Sequence, residues 1–251
     1  MTAPQTEMNS TVSINERLIV ALDIDSVEKA RSVVDQLDGL GVAFKIGMQM
    51  FTHGGPKFVE ELVDRGSRIF LDLKFHDIPN TVAKAGIEAA RLGVWMFNVH
   101  AGGGSEMMKR TAAEVSEFCE ASSRNRPLII GVTVLTSSSV ITLREQGIQS
   151  SVEDRVTLLA KLTSASGLDG VVASANEIGF IRNEIKNSDF LIVTPGIRPE
   201  NATKDDQTRV MSPGAAISKG ADHIVVGRPI IAAADRRQAA ERILNEIREV
   251  Q

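Results

Sequence analysis

The sequence predicts one α/β domain, a (β/α)8 barrel of the TIM type, and three observations carry that expectation. Short β-branched and aliphatic runs recur roughly every 25 to 30 residues, each followed by a segment with helical spacing, as repeated βα units around a parallel sheet require. The runs number about eight, the count that closes a barrel. The chain has 251 residues and no linker between the runs, which suits a barrel folded as a single unit. A doubly wound open sheet is the main rival, but it normally shows only about five or six strands.

In chain order the strand candidates are RLIVALDI (17–24), VAFKIGM (42–48), RIFLDLKF (68–75), MFNVH (96–100), LIIGVTVL (128–135), GVVAS (170–174), FLIVTPG (190–196) and HIVVGRP (223–229). Helices are expected at 26–38, 55–65, 80–92, 104–121, 152–165, 175–184, 212–219 and 232–248. Ser26, Ser105 and Ser212 fall where a helix start wants a capping oxygen. The connections 136–151 and 195–216 exceed the usual loop limit of about 12 to 15 residues, and both follow strands, so they belong to the catalytic face of a barrel. PENATKDDQTR (199–209) in the second is the expected lid.

The first fourteen residues, MTAPQTEMNSTVSI, are polar and lack both a basic start and an apolar stretch. They read as a mobile tail before a barrel at 15–251, not as a secretion signal. Hydrophobic residues make up 43% of the chain and charged residues 24%, and no apolar run approaches a bilayer span. A net charge of −4 without a long basic block argues against nucleic acid or an acidic membrane as the partner, and for a small molecule. One cysteine, Cys119, excludes an internal disulfide framework and points to the reducing cytoplasm. In that compartment the acceptor-like Asn201-Ala202-Thr203 is incidental.

FLDLKFHDIPNTV (70–82) is the stretch with chemistry in it. Side chains alternate across a strand, so Asp72, Lys74 and His76 share one face while Leu71, Leu73 and Phe75 share the other. The aliphatic face meets the helices, and the polar face points into the barrel at its C-terminal mouth. Asp72 and Lys74 are close enough to hold each other ionised. A structural ion pair plugging the barrel is the plain alternative, with Asp77, Asn80 and Thr81 capping the next helix and Pro79 opening it. Other strand ends add to the polar set: Asp23 ends the first, Lys45 lies within the second, Asn98 and His100 end the fourth, Thr136 follows the fifth, and Arg198 and Arg228 follow the last two. Gly227-Arg228-Pro229, beside a long loop carrying Arg198 and Gln207, sits where barrels commonly bind phosphate, and arginine can grip phosphate through two hydrogen bonds.

These residues resemble the orotidine 5′-monophosphate decarboxylase family. ALDID (21–25), FKIGMQMF (44–51), FLDLKFHDIPNTV (70–82), NVHAGGG (98–104), GVTVLTS (131–137), TPGIRP (194–199), DQTRVMSPGAA (206–216) and VVGRPI (225–230) resemble the family's successive motifs in order, from about residue 18 to residue 232. The resemblance implies conversion of orotidine 5′-monophosphate to uridine 5′-monophosphate in pyrimidine nucleotide synthesis, with no cofactor and no metal. It implies Asp72 and Lys74 as the catalytic pair, with Lys45 and Asp77 completing an alternating chain of charges. Asp23 and Lys45 would engage the ribose, Thr136 the pyrimidine side, and Gln207, Gly227 and Arg228 the phosphate, with Arg198 lining the nucleotide site. It also implies a homodimer in which Asp77 and Thr81 reach into the neighbour's site. Asn98 carries no weight in this reading.

Two other functions stay in view. His76, Asp77 and His100 could bind a metal, as in barrels resembling pentose-phosphate epimerases or keto-gulonate phosphate decarboxylase. Against this, Lys45 stands where the latter would offer an acidic ligand, and Lys74 would repel a cation. A non-catalytic nucleotide sensor would keep the phosphate grip and lose the chemistry, but Asp72 and Lys74 are both present. His53 and His223 read as structural or solvated.

Overall fold

A computed structural model describes residues 13–199 and 211–250. Eight parallel strands close into a barrel in sequence order: β1 Leu18–Ala21, β2 Ala43–Gly47, β3 Ile69–Phe75, β4 Met96–His100, β5 Leu128–Val132, β6 Gly170–Val172, β7 Leu191–Pro195 and β8 His223–Val226. β8 pairs back onto β1, with Ile19 opposite Val225. The helices among the described residues are α1 Val27–Gln36, α2 Met48–Asp64, α3 Pro79–Arg91, α4 Gly104–Ala121, α5 Val140–Glu145, α6 Val152–Ala165, α7 Ile178–Glu184, α8 Pro213–Ser218, α9 Arg228–Ile231 and α10 Arg236–Arg248. None is long and apolar enough to cross a membrane.

Each expected strand forms, and alternation explains the two cores. Outward residues such as Leu18, Val20, Phe44, Ile46, Leu71, Phe97 and Val99 join the helices in one continuous apolar layer. Inward residues Ile19, Ala21, Ala43, Phe70, Met96, Ile130, Val193 and Val225 fill the barrel itself. The interior is thus a packed plug, as this architecture requires.

Several helix boundaries differ from expectation for local reasons. α2 begins at Met48, directly after β2, and is kinked at Gly55, whose φ of 67° precedes Pro56; only its second half follows the expected span. α5 lies in the connection expected to be loop, where Ser139 caps it by accepting a hydrogen bond from the Thr142 backbone N–H. The last expected helix divides into α9 and α10, with Asp235 capping α10 through the Gln238 N–H. Ser26 and Ser212 cap α1 and α8 as expected. Ser105 does not cap: α4 starts at Gly104, with Gly103 at the capping position, so Ser105 is already in the first turn. Ile14 opens a short 3-10 turn, Ile14–Arg17, and packs on the core.

That turn helps to form the floor of the barrel. His223, 1% exposed, places Nδ1 2.9 Å from the Glu16 carbonyl oxygen, so this nitrogen carries the proton and donates it. Trp95 meets the His223 ring edge-on at 5.2 Å, and Arg68, paired with Glu16, lies over the indole. Burial lowers the affinity of His223 for a second proton below that of an ordinary imidazole, 6.5; the Glu16 carbonyl opposes this only partly. A site that disfavours the charged ring stabilises the fold fully above 6.5 and loses that contribution as pH falls below it. The denaturant midpoint of the wild type should therefore drop with acidification through this range. His223→Gln should be less stable at neutral pH but should show a shallower acid decline; an equally steep one would place the pH sensitivity elsewhere.

Candidate active site

The barrel's polarity changes along its axis. Phe70, Met96 and Ile130 lie below, while Lys45, Asp72 and Asn98 are buried above them at the C-terminal end. Burial of charges in a plug is tolerable only when they are paired, and these are. Lys45 Nζ lies 3.0 Å from Asp23 Oδ1 and 3.3 Å from Asp72 Oδ2. Lys74 Nζ lies 2.6 Å from Asp72 Oδ1. Asp72 thus bridges two ammonium groups with its two oxygens. Burial works against the charge on Lys45, but Asp72 and Asp23 outweigh it and hold the ammonium more firmly protonated than an ordinary lysine.

Backbone geometry makes room for this array. Gly47 ends β2, and a Cβ there would stand 3.1 Å from Lys45 Nζ and 3.4 Å from Asp23 Oδ1, so a side chain would crowd the ion pair. Gly227 similarly faces Ala21 and Asp23 across the mouth. The β3–β4 register shifts between Leu71 and Phe75, and Lys74 within that irregularity has φ of 52°. For a residue with a Cβ this left-handed conformation costs about 1–3 kcal/mol and must be held by its surroundings.

Beside the ions the wall is apolar. Phe70, Val132, Val134, Leu135, Val172, Ala173, Pro195 and Val225 line a cavity with Lys45, Asp72, Lys74 and Thr136. The cavity thus sets an apolar wall against the Lys74 ammonium.

The other expected site residues are distributed as follows. Arg198 is 7% exposed, and its backbone N–H donates to the Met211 carbonyl, across the ends of the long connection. Arg228 is exposed at the start of α9, next to Gly227. Gln207 and the expected lid beyond Pro199 lie outside the described residues. Asp77 is exposed; its Oδ1 accepts from the Ile78 N–H at 2.7 Å, and it touches no ammonium of its own chain among the described contacts. Thr81 is exposed in the first turn of α3, which Pro79 opens. His76 lies past the end of β3, exposed, with its ring 5.3 Å from that of His100. Burial first, then the nearby His76 and Lys74, lower the proton affinity of the His100 ring. No cluster of three metal-ligating side chains occurs among the described residues.

One residue of the polar set, given no weight from the sequence, proves central. Asn98 is fully buried; its Nδ2 donates to Asp72 Oδ1 at 2.7 Å, and its Oδ1 accepts from the Lys74 backbone N–H at 2.8 Å. The available signal was its inward position on β4 next to the charged strand, since an amide in a barrel interior needs polar partners.

Comparison with known proteins identifies the family to which the chain belongs. The model of the family described as "Orotidine 5'-phosphate decarboxylase / HUMPS family" matches residues 16–243. The chain is 53% identical over 236 residues to the orotidine 5′-phosphate decarboxylase of Syntrophotalea carbinolica, covering 94% of this chain and 96% of that one. It is 50% identical over 222 residues to the enzyme of the same name from Vibrio campbellii, covering 88% and 93%. Among solved structures, orotidine 5′-phosphate decarboxylase from Lactobacillus acidophilus superposes with a TM-score of 0.82 at 38% identity, over 92% of this chain and 99% of that one.

Removing the shared carboxylate should strand the Lys74 ammonium and leave Lys45 with Asp23 alone. Asp72→Ala is expected to lose about 3 kcal/mol in urea unfolding, and Asp72→Asn less because it retains an acceptor oxygen. Wild-type stability in the alanine variant would mean that the array does not hold the mouth together.

Proposed function

We propose, because this chain belongs to the orotidine 5′-phosphate decarboxylase / HUMPS family, that it converts orotidine 5′-monophosphate to uridine 5′-monophosphate with no cofactor and no metal, using Lys74 as proton donor. The enzyme class is carboxy-lyase. The observation that carries the mechanism is the Lys45–Asp72–Lys74 array opening onto an apolar cavity.

The reaction breaks the bond between a pyrimidine ring carbon and its carboxylate. Carbon dioxide leaves, and the bonding electron pair stays on the ring carbon in an orbital within the ring plane, poorly conjugated with the π system. The resulting carbanion is strongly basic. An ammonium fixed beside that carbon stabilises the developing charge and then delivers a proton to the same lone pair. Lys74 serves both steps, and solvent later restores its proton. Its position on Asp72 supports this assignment, because a salt-bridged ammonium held by a rigid carboxylate needs no reorganisation as charge develops.

The remaining roles are those that the family resemblance implies. Asp23 and Lys45, joined at one edge, engage the ribose; Thr136 and the apolar wall receive the pyrimidine; Gln207, Gly227 and Arg228 take the phosphate, and Arg198 lines the nucleotide site. Binding energy at the phosphate, remote from the reacting carbon, can be spent on the transition state. Asp77 and Thr81 are exposed and make no described contact with their own chain's array, which supports a homodimer in which each reaches the neighbour's site. The proposed compartment is the cytoplasm. Two ammonium groups at the centre of the mouth speak against the metal-dependent sugar-phosphate chemistry of similar barrels.

The decisive assay follows loss of orotidine 5′-monophosphate absorbance with chelator-washed protein. Wild type should be active, and Lys74→Ala should lose turnover while still binding uridine 5′-monophosphate; binding without turnover by the wild type would favour a nucleotide sensor. Subunit mixing tests the dimer. Lys74→Ala and Asp77→Ala homodimers should each be inactive, and mixing them in equal amounts should restore about a quarter of wild-type activity, because half of the dimers then carry one intact site. No recovery after verified subunit exchange would mean that Asp77 acts within its own chain or not at all.

A further inference from the structure

The structure assigns Asn98 a positioning role in this reaction: its side-chain amide fixes the Asp72 carboxylate with one end and the backbone of Lys74 with the other. The inference rests on the function proposed above and extends it to a residue to which the family resemblance gave no role.

Each end of the amide has only one chemical choice. The Lys74 N–H is a donor, so it must meet the amide oxygen, 2.8 Å away; the Asp72 carboxylate is an acceptor, so it must meet the amide nitrogen, 2.7 Å away. Neither end is in solvent, since Asn98 is fully buried and Asp72 is 9% exposed. The two bonds close a ring: Asn98 to Asp72, Asp72 to Lys74 Nζ at 2.6 Å, and Lys74 back to Asn98 through its own backbone.

The ring matters because Lys74 is in a conformation it does not prefer. With φ of 52° in a register-shifted strand, its N–H does not follow the regular β3–β4 ladder. Asn98 supplies the acceptor that the ladder does not, and so holds the backbone in the left-handed state. The direction in which the lysine leaves the strand, and hence where its ammonium stands over the cavity, depends on that φ. Meanwhile Asp72 Oδ1 is shared by Lys74 Nζ and the Asn98 amide, while Oδ2 faces Lys45. The carboxylate is thereby clamped at both oxygens and cannot rotate to follow a mobile lysine.

Asparagine suits this post because it carries a donor and an acceptor on one short planar group. Aspartate keeps the shape and an acceptor for the Lys74 N–H, but in its ionised form offers Asp72 no donor and sets a second carboxylate against it. Leucine keeps similar volume and removes both bonds.

The test is Asn98→Leu and Asn98→Asp, each checked by thermal unfolding and by binding of uridine 5′-monophosphate. Both variants are expected to bind the product within a few-fold of wild type, whereas kcat falls roughly tenfold to a hundredfold, the loss expected when hydrogen bonds to a charged catalytic group disappear. KM should stay within a few-fold, because the ribose and phosphate contacts do not pass through Asn98. Amide hydrogen exchange gives a readout independent of turnover: the Lys74 N–H should be protected in wild type, still protected in Asn98→Asp, and fast in Asn98→Leu. Wild-type kcat in both variants would overturn the positioning role, as would losses in kcat that merely track losses in stability and product affinity. Should the leucine variant not fold, the kinetics and exchange of the aspartate variant decide the question alone. If wild-type protein does not decarboxylate the substrate, the proposed reaction fails, while Lys74 exchange still shows whether Asn98 holds that backbone.

Discussion

The mouth of this barrel depends on one carboxylate held between two ammonium groups. Asp72 contacts Lys45 through one oxygen and Lys74 through the other, and Asp23 extends the line to the rim. Two lysines in a closed barrel would repel each other; the carboxylate between them turns repulsion into order. The neighbouring sequence choices serve that arrangement. Gly47 carries no side chain because a Cβ would press on the Lys45–Asp23 pair, and Asn98 is an amide because Asp72 Oδ1 and the Lys74 N–H need a donor and an acceptor from one direction.

The fold separates the task of stability from that of chemistry. The apolar plug of Ile19, Phe70, Met96, Val193 and Val225 and the layer between strands and helices supply burial without polar cost. The floor is sealed by Trp95, His223 and Arg68. On top of this packing the barrel can carry strain and buried charge at its other end, in the left-handed Lys74 and the ionised array. Rigid strands also fix the array to the accuracy that electrostatic catalysis demands, since a preorganised charge is effective only if it does not relax away from the reacting atom.

Much of this was legible in the sequence, and the remainder was hidden for identifiable reasons. Period-two alternation around Asp72 and Lys74 placed both in the barrel, because Leu71 and Phe75 had to face the helices. Eight β-rich runs counted the strands correctly because each is short, buried and bounded by turn residues. Alternation failed at His76, since the strand ends at Phe75 and the periodicity ends with it. α5 was missed because VITLRE is short and β-branched at its start, so its capping by Ser139 outweighs propensity. Asn98 stands in the polar set of strand ends but carries no weight there, because a lone asparagine in MFNVH has no local pattern; its meaning arises only from the strand beside it, a contact that closes over 26 residues. The left-handed φ of Lys74 had no sequence signal at all, as glycine is the residue that normally marks such a position.

The electrostatics of the array bear on the proposed reaction in a way that single residues do not. Within one chain Asp23, Lys45, Asp72 and Lys74 sum to zero, and each ammonium is already committed to a carboxylate. A substrate carboxylate entering beside Asp72 therefore finds no uncommitted cation there, whereas the carbanion left after carbon dioxide departs sits at the one atom toward which a proton can move. The phosphate, by contrast, is assigned in the proposed reading to Arg228, which is exposed at the start of α9. Binding and reaction are thus addressed by different cations, so that affinity for the nucleotide does not have to stabilise the group that must leave. On this view the buried amide of Asn98 is what keeps the two functions apart: by holding Asp72 and Lys74 to each other, it prevents the lysine from turning toward the substrate carboxylate and stabilising the ground state instead of the transition state.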